Sequence, residues 1–415
     1  MNIHLQRATQ IMAKIDQLAS VSEDTQTITR TFGTPAFIKG SRMIAGWMES
    51  AGLETHTDNM GNVRGRVLSN LPDAKTLVIA SHMDSVVNAG RFDGPLGILL
   101  MLDILEALIE SGEPVPFNIE LIAFSDEEGV RFHTTYLGSK VVAGSFDEGL
   151  LNKKDASGTS LREVLAAMGA DTSRLKNDAI APGNWLGYFE VHIEQGPILY
   201  ENKIPVALVK GIAGQKRAEI IFKGRAGHAG TVPMNMRQDA LCAAAAFTLL
   251  AEQWAMKYKD RIVATVGKLN ITHAASNTIP GEVICTLDLR SNDPETLAQS
   301  YDALQRGCAA ICTERHIEWQ WNLVQETAPV ACDASMNALL AQSIRAAGHE
   351  VIELVSGAGH DGVPISAVSP VAMLFVRCFE GISHHPLENV ELKDLAAAVE
   401  VSANFIHQLI KTYPR

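Results

Sequence analysis

Four short segments of the chain carry imidazoles and carboxylates at spacings that could hold a divalent cation. The first is Ser81-His82-Met83-Asp84, followed by Arg91-Phe92-Asp93-Gly94-Pro95. Nitrogen and oxygen donors of this kind suit Zn²⁺ or Mn²⁺, and a carboxylate two residues beyond a ligand histidine can hold the other ring nitrogen and fix its tautomer. His82 and Asp93 are read as ligands and Asp84 as the residue that orients His82. A lone His-x-Asp at a strand end also serves as a turn with a capping aspartate. The second segment is Ser125-Asp126-Glu127-Glu128-Gly129. Adjacent carboxylates can divide the work, one binding metal while the other takes a proton from water and returns it to a leaving nitrogen. Glu127 is read as that base and Glu128 as a ligand, against the competing reading of a solvated acidic loop. Phe189 to Pro197, with His192, and Gly381 to Pro386, with His384 and His385, complete the set. A single histidine in either would ordinarily be structural, so a shared metal centre is the economical account of all four.

The elements that must position these residues have an α/β rhythm. Strand-like Leu77 to Ser81, helical Leu96 to Glu110 and strand-like Ile119 to Ser125 alternate as in a mixed, mostly parallel sheet flanked by helices. Ligands of such sheets bind beyond the carboxyl ends of the strands, where His82, Glu127 and Glu128 stand. From about residue 211 to 325 the pattern changes to strands at 218–223, 262–266, 283–289 and 317–323 with helices at 239–257 and 295–315. This predicts a smaller α+β domain inserted into a discontinuous catalytic domain of residues 1–210 and 326–415. The α/β pattern resumes with a helix at 336–347, apolar runs at 351–355 and 371–376, and a last helix at 392–410.

With 415 residues, 47% of them hydrophobic and 20% charged, the chain reads as a globular protein of two domains. No apolar run approaches the roughly 20 residues that cross a bilayer, and Met1 to Leu18 lacks the features of a signal peptide. A cytoplasmic protein is expected, with no membrane contact. The formal net charge of −12 and the lack of a basic cluster exclude a nucleic-acid partner. The six cysteines form no Cys-x-x-Cys pair and are read as reduced core residues.

Together, SHMDSV, RFDGPLG, SDEEGVRF, HIEQGP, GRAGHAGTVPM, SGAGHDG and GISHHP resemble the carbamoylase-type amidases of the M20 metallopeptidase family. That group includes allantoate amidohydrolases, N-carbamoyl-L-amino acid hydrolases and β-ureidopropionases. The resemblance implies a zinc-exopeptidase-like catalytic domain with an inserted lid and dimerisation domain, and a homodimer formed through that insert. It implies two divalent cations per subunit, Zn²⁺ or Mn²⁺, with Co²⁺ and Ni²⁺ also compatible. One would be held by His82, Asp93 and His192, the other by Asp93, Glu128 and His384, with Glu127 as general base. His384 rather than His385 matches the family's Ser-His-x-Pro pattern. By the same resemblance His228 would reach the partner subunit's site and polarise the substrate carbonyl. Gln195, Gln215, Asn277 and Arg290 would contact substrate, while Gly357, Ala358 and the turn to Gly362 would line the pocket, His360 and Asp361 adding hydrogen bonds. His192 stands where peptidase relatives usually carry a carboxylate, which favours cleavage of a ureido bond.

The expected substrate is a small ureido carboxylate. Allantoate is the leading candidate, with N-carbamoyl-L-amino acids and β-ureidopropionate as alternatives. A peptidase or aminoacylase fits His192 less well. An inactive binding protein would have lost ligand positions, and here all five and the base are present.

Overall fold

The computed structural model describes residues 3–259 and 261–413; Met1, Asn2, Asp260, Pro414 and Arg415, which the expected domain ranges include, lie outside the described residues. The chain divides into two compact units. One takes the chain up to Lys210, Cys332–Leu354 and the residues from Gly359 onward; the other is Gly211–Ala331 with Val355–Ala358. The second unit thus runs six residues past 325 and takes in a short return segment, because Val330 and Ala331 pair with Ile212 and Gly211.

The sheet of the first unit runs, in spatial order, Glu54–Thr57, Val63–Val67, Asn118–Phe124, Thr76–His82, Trp185–Ile193, Val371–Val376 and Val206–Ile212. The four strands from Asn118–Phe124 to Val371–Val376 are mutually parallel, and the flanking pairs are antiparallel. Central parallel strands are covered on both faces, so they read as unbroken apolar runs. Leu77 to Ala80 and Val371 to Val376 are buried throughout. His82 closes one parallel strand and pairs with Phe124, the end of the next. His192 pairs with Phe375 near the ends of the other two. Four adjacent strands therefore deliver their carboxyl-end loops to one edge.

Helix Pro95–Ser111 packs beside these ends, with proline at its first position and twelve of its residues buried. Gly94 precedes it at φ 85°, and a Cβ there would lie 2.4 Å from the His82 carbonyl oxygen and 2.6 Å from its ring. Only glycine lets the Asp93 loop approach His82 so closely. Helix Ile3–Ala19 buries Ala8, Ile11, Ile15 and Leu18, one stripe at helical spacing.

In the second unit the sheet order is Leu269–Ile271, Glu282–Ser291, Gly214–Lys223 and Glu318–Thr327, with Ile262–Thr265 beside Glu282–Ser291. Strand Glu282–Ser291 alternates: Val283, Cys285, Leu287 and Leu289 join a core with Phe247, Leu304 and Cys308 from helices Ala240–Lys257 and Pro294–Arg315. Asp288 and Arg290 project from the opposite face. The cysteines are all free, but the expectation that all six are core residues needs correcting: Cys285, Cys308, Cys312 and Cys378 are buried, whereas Cys242 is exposed and Cys332 half-buried. Cys242 lies in the first turn of its helix, away from the apolar stripe. Among the described residues no helix is long and apolar enough to cross a membrane.

Candidate metal centre

Asp93 is the hub of the strand-end cluster. Its Oδ1 lies 3.2 Å from His192 Nε2 and 3.5 Å from His82 Nε2. Its Oδ2 lies 3.1 Å from His384 Nε2, which is 3.3 Å from Glu128 Oε1. The donor atoms of His82, Asp93 and His192 all fall within 4.8 Å of one another, as do those of Asp93, Glu128 and His384. Asp93 is common to both groups. Its Oδ1 is buried and accepts no hydrogen bond, and a buried acceptor left without a donor costs about 1–3 kcal/mol. A cation would satisfy that atom, so these residues fit a two-cation centre bridged by Asp93.

Both buried histidines present Nε2 to Asp93 and turn Nδ1 to a backbone carbonyl: His82 to Asp84 O at 3.1 Å and His192 to Ile193 O at 3.0 Å. Asp84 thus meets His82 through its backbone carbonyl. Its carboxylate stands 3.7 Å from His82 Nδ1 and instead accepts the backbone N–H groups of Glu127 and Glu128, each at 3.1 Å. Those two N–H groups follow Asp126, whose φ of 49° turns the acidic loop and leaves them without secondary-structure partners. Gln195 at 55° and His384 at 54° also hold left-handed backbones. Such conformations cost about 1–3 kcal/mol each and persist where surroundings fix them, as they do around functional sites.

Burial pushes the Glu127 carboxyl well above its usual range, with Glu128, Asp361 and Asp84 adding to the effect and His82 opposing it. Burial also works to raise Asp93, but the surrounding imidazoles outweigh it and hold that carboxyl well below its usual range. Hydrogen bonds to Asp93 and Glu128 carry His384 up to about 10.

The remaining expected residues fall in both units. In the first, Gln195 Nε2 donates to Asp93 Oδ2 at 3.0 Å. His360 is buried with its ring edge-on to His192, 4.5 Å between centroids, and Asp361 is buried and accepts from Ser139 Oγ. His385 is exposed, its Nδ1 taken by Leu387 N at 3.2 Å. In the second unit, Gln215 and Arg290 are register partners on adjacent strands. Arg290 donates from Nη1 to Gly357 O at 2.7 Å, and from Nε and Nη2 to the two oxygens of Asp288 at 2.8 and 2.9 Å. Ala358 O accepts from Ser356 Oγ at 2.9 Å. His228 and Thr278 pair in a two-stranded ladder, and Ala229 N donates to Asn277 O at 2.9 Å. His228 Nδ1 accepts Gly230 N at 3.0 Å, so its proton sits on Nε2.

Three residues at the centre were not singled out from the sequence. Arg30, buried, donates to Met83 O at 2.8 Å and braces the turn after His82. Ser383 Oγ and Glu388 reach Asp93 from the loop that carries His384. A lone glutamate, serine or arginine in a loop carries no spacing signal that would mark it.

A sequence profile described as Peptidase family M20/M25/M40 matches residues 78–408. Among similar proteins, the allantoate deiminase of Arabidopsis thaliana is 39% identical over 93% of this chain and 79% of its own. The N-carbamoyl-L-amino acid amidohydrolase of Geobacillus stearothermophilus is 37% identical over 92% of this chain and 93% of its own. The crystal structure of an amidase of the hydantoinase/carbamoylase family from Burkholderia multivorans superposes with a TM-score of 0.91 at 31% identity, covering 98% of each chain.

Proposed function

The chain belongs to peptidase family M20/M25/M40, and from that premise we propose that it hydrolyses the ureido C–N bond of allantoate, leaving the amine product, with ammonia and CO₂ released as the carbamate formed breaks down. It is a metal-dependent hydrolase acting on C–N bonds other than peptide bonds. The observation that carries a ureido bond is His192, set 3.2 Å from the shared Asp93, where by the resemblance peptidase relatives usually have a carboxylate; the 39% identity to an allantoate deiminase supports allantoate as the substrate.

A ureido carbonyl is a poor electrophile because both flanking nitrogens delocalise into it. These residues would hold cations whose chemistry is to lower the pKa of a bound water toward about 7 and to polarise the carbonyl. His82 and His192 would hold one and Glu128 and His384 the other, with Asp93 shared. Glu127, kept basic by burial, would take the water's proton at its carboxylate and deliver it to the leaving nitrogen. His228 would donate from Nε2 to the carbonyl oxygen as it gains negative charge, acting in the partner's site of a homodimer built through the inserted domain. Arg290 would grip the substrate carboxylate with its planar fork. We further infer a cytoplasmic setting.

The test is ammonia release by Mn²⁺-reconstituted protein from allantoate, N-carbamoyl-L-amino acids and β-ureidopropionate, with a chelated control. Chelator-sensitive release from allantoate alone supports the proposal. Preference for a carbamoyl amino acid, the second reading favoured by the bacterial relative, keeps the mechanism and replaces the substrate. Turnover of none of the three overturns both.

A further inference from the structure

We propose that Glu388 is the positioning residue that locks the two halves of the metal centre together by fixing Asp93 relative to His384. The inference rests on the two-cation reading above. Glu388 is buried, 3% exposed, in the loop that follows His384. Its Oε1 accepts the backbone N–H groups of Phe92 at 2.7 Å and Asp93 at 3.1 Å. Its Oε2 lies 3.0 Å from Ser383 Oγ, which in turn lies 2.9 Å from Asp93 Oδ2. One carboxylate thus holds the Asp93 backbone directly and the Asp93 side chain through the residue preceding His384.

The fit between the loops is close. A Cβ at Gly90 would lie 2.2 Å from the Glu388 carboxyl group, so the Asp93 loop can lie against it only with glycine there. Beside it, Arg91 Nη2 donates to Asn389 Oδ1 at 3.2 Å, and Glu388 N donates to His385 O at 3.0 Å. His82 and His192 belong to strands and need no such brace. Asp93 and His384 lie on loops almost 300 residues apart in sequence, and His384 is half-exposed with a left-handed backbone. Losing the brace should therefore weaken the Asp93–Glu128–His384 group more than the His82–Asp93–His192 group.

The experiment is a titration of the metal-free chain with Mn²⁺ alone, reading stoichiometry and both dissociation constants, alongside the melting temperature in chelator. For Glu388→Ala the weaker dissociation constant should rise about 10- to 100-fold, the range for residues that orient a ligand, with the tighter one changed far less. Ser383→Ala removes only the hydroxyl between Glu388 and Asp93, should shift the same constant in the same direction, and decides the matter if Glu388→Ala does not fold. Two Mn²⁺ at wild-type affinities in the folded variants, with only the melting temperature lowered, would leave Glu388 a loop staple and overturn the inference alone. A wild-type chain that binds a single Mn²⁺ overturns the two-cation reading and this inference with it.

Discussion

His384 Nε2 and Asp93 Oδ2 lie 3.1 Å apart, joining the loop after the last parallel strand to the loop that opens helix Pro95–Ser111. Hydrogen bonds to Asp93 and Glu128 hold the His384 imidazole up to about 10, so at neutral pH the metal-free protein carries a proton there. A cation at that nitrogen must displace the proton. Affinity for Mn²⁺ should therefore rise with pH, by about tenfold per unit for each proton released. Competition titrations between about pH 6.5 and 8.5 would read the slope, and a pH-independent constant would contradict it.

Glu127 is buried at the mouth of the acidic loop and its carboxyl is held well above the usual range. Glu127→Gln keeps the side chain's size but removes the proton acceptor. Turnover should fall by about 10²- to 10⁴-fold, the contribution of general acid–base catalysis, while metal content stays at the wild-type value. Loss of metal with loss of turnover would mean that Glu127 is a ligand and that the two glutamates exchange roles.

Part of this centre is legible in the sequence because His82 and the acidic pair end apolar runs. A strand such as Thr76–His82 is buried on both faces, so its apolar stretch stops where the chain meets the site. Helix Leu392–Thr412 likewise follows from its periodicity, and Pro95–Ser111 from an apolar run too long for a strand and opened by proline. What the sequence hides is contact made at long range. Glu388 touches Phe92 and Asp93 across almost 300 residues, and nothing local distinguishes it from a solvated glutamate. The Val330–Ala331 pairing that extends the second unit is too short to show a period. Asp84 is a finer case: spacing marks the residue, but whether its carbonyl or its carboxylate meets His82 depends on which group the acidic loop needs.

That division of labour at Asp84 is itself testable. If its carboxylate served only His82 Nδ1, an asparagine carbonyl could accept the same proton and Asp84→Asn would be nearly silent. Because both oxygens accept backbone N–H groups from Glu127 and Glu128, the amide would set its own N–H₂ against one of them. The expected result is a stability loss of about 1–3 kcal/mol and a fall in kcat of about 10- to 100-fold, read by thermal unfolding and steady-state assay on metal-loaded protein.

The last prediction concerns the carboxylate clamp. Asp288 takes the Nε and Nη2 side of Arg290, and Gly357 O takes Nη1, so the guanidinium plane is set before substrate arrives. A lysine has neither the plane nor the second donor in fixed geometry. Arg290→Lys should raise KM for a ureido carboxylate by about 10- to 100-fold, a charged hydrogen bond being worth about 1.5–3 kcal/mol, with a smaller change in kcat. Asp288→Asn frees the fork to rotate without removing the charge, and should raise KM less. The discriminating measurement uses the carboxamide analogue of the same substrate. If Arg290 reads the carboxylate, the analogue should bind wild type and Arg290→Lys about equally poorly; equal losses with acid and amide would show that Arg290 serves the fold of the second unit and not the substrate.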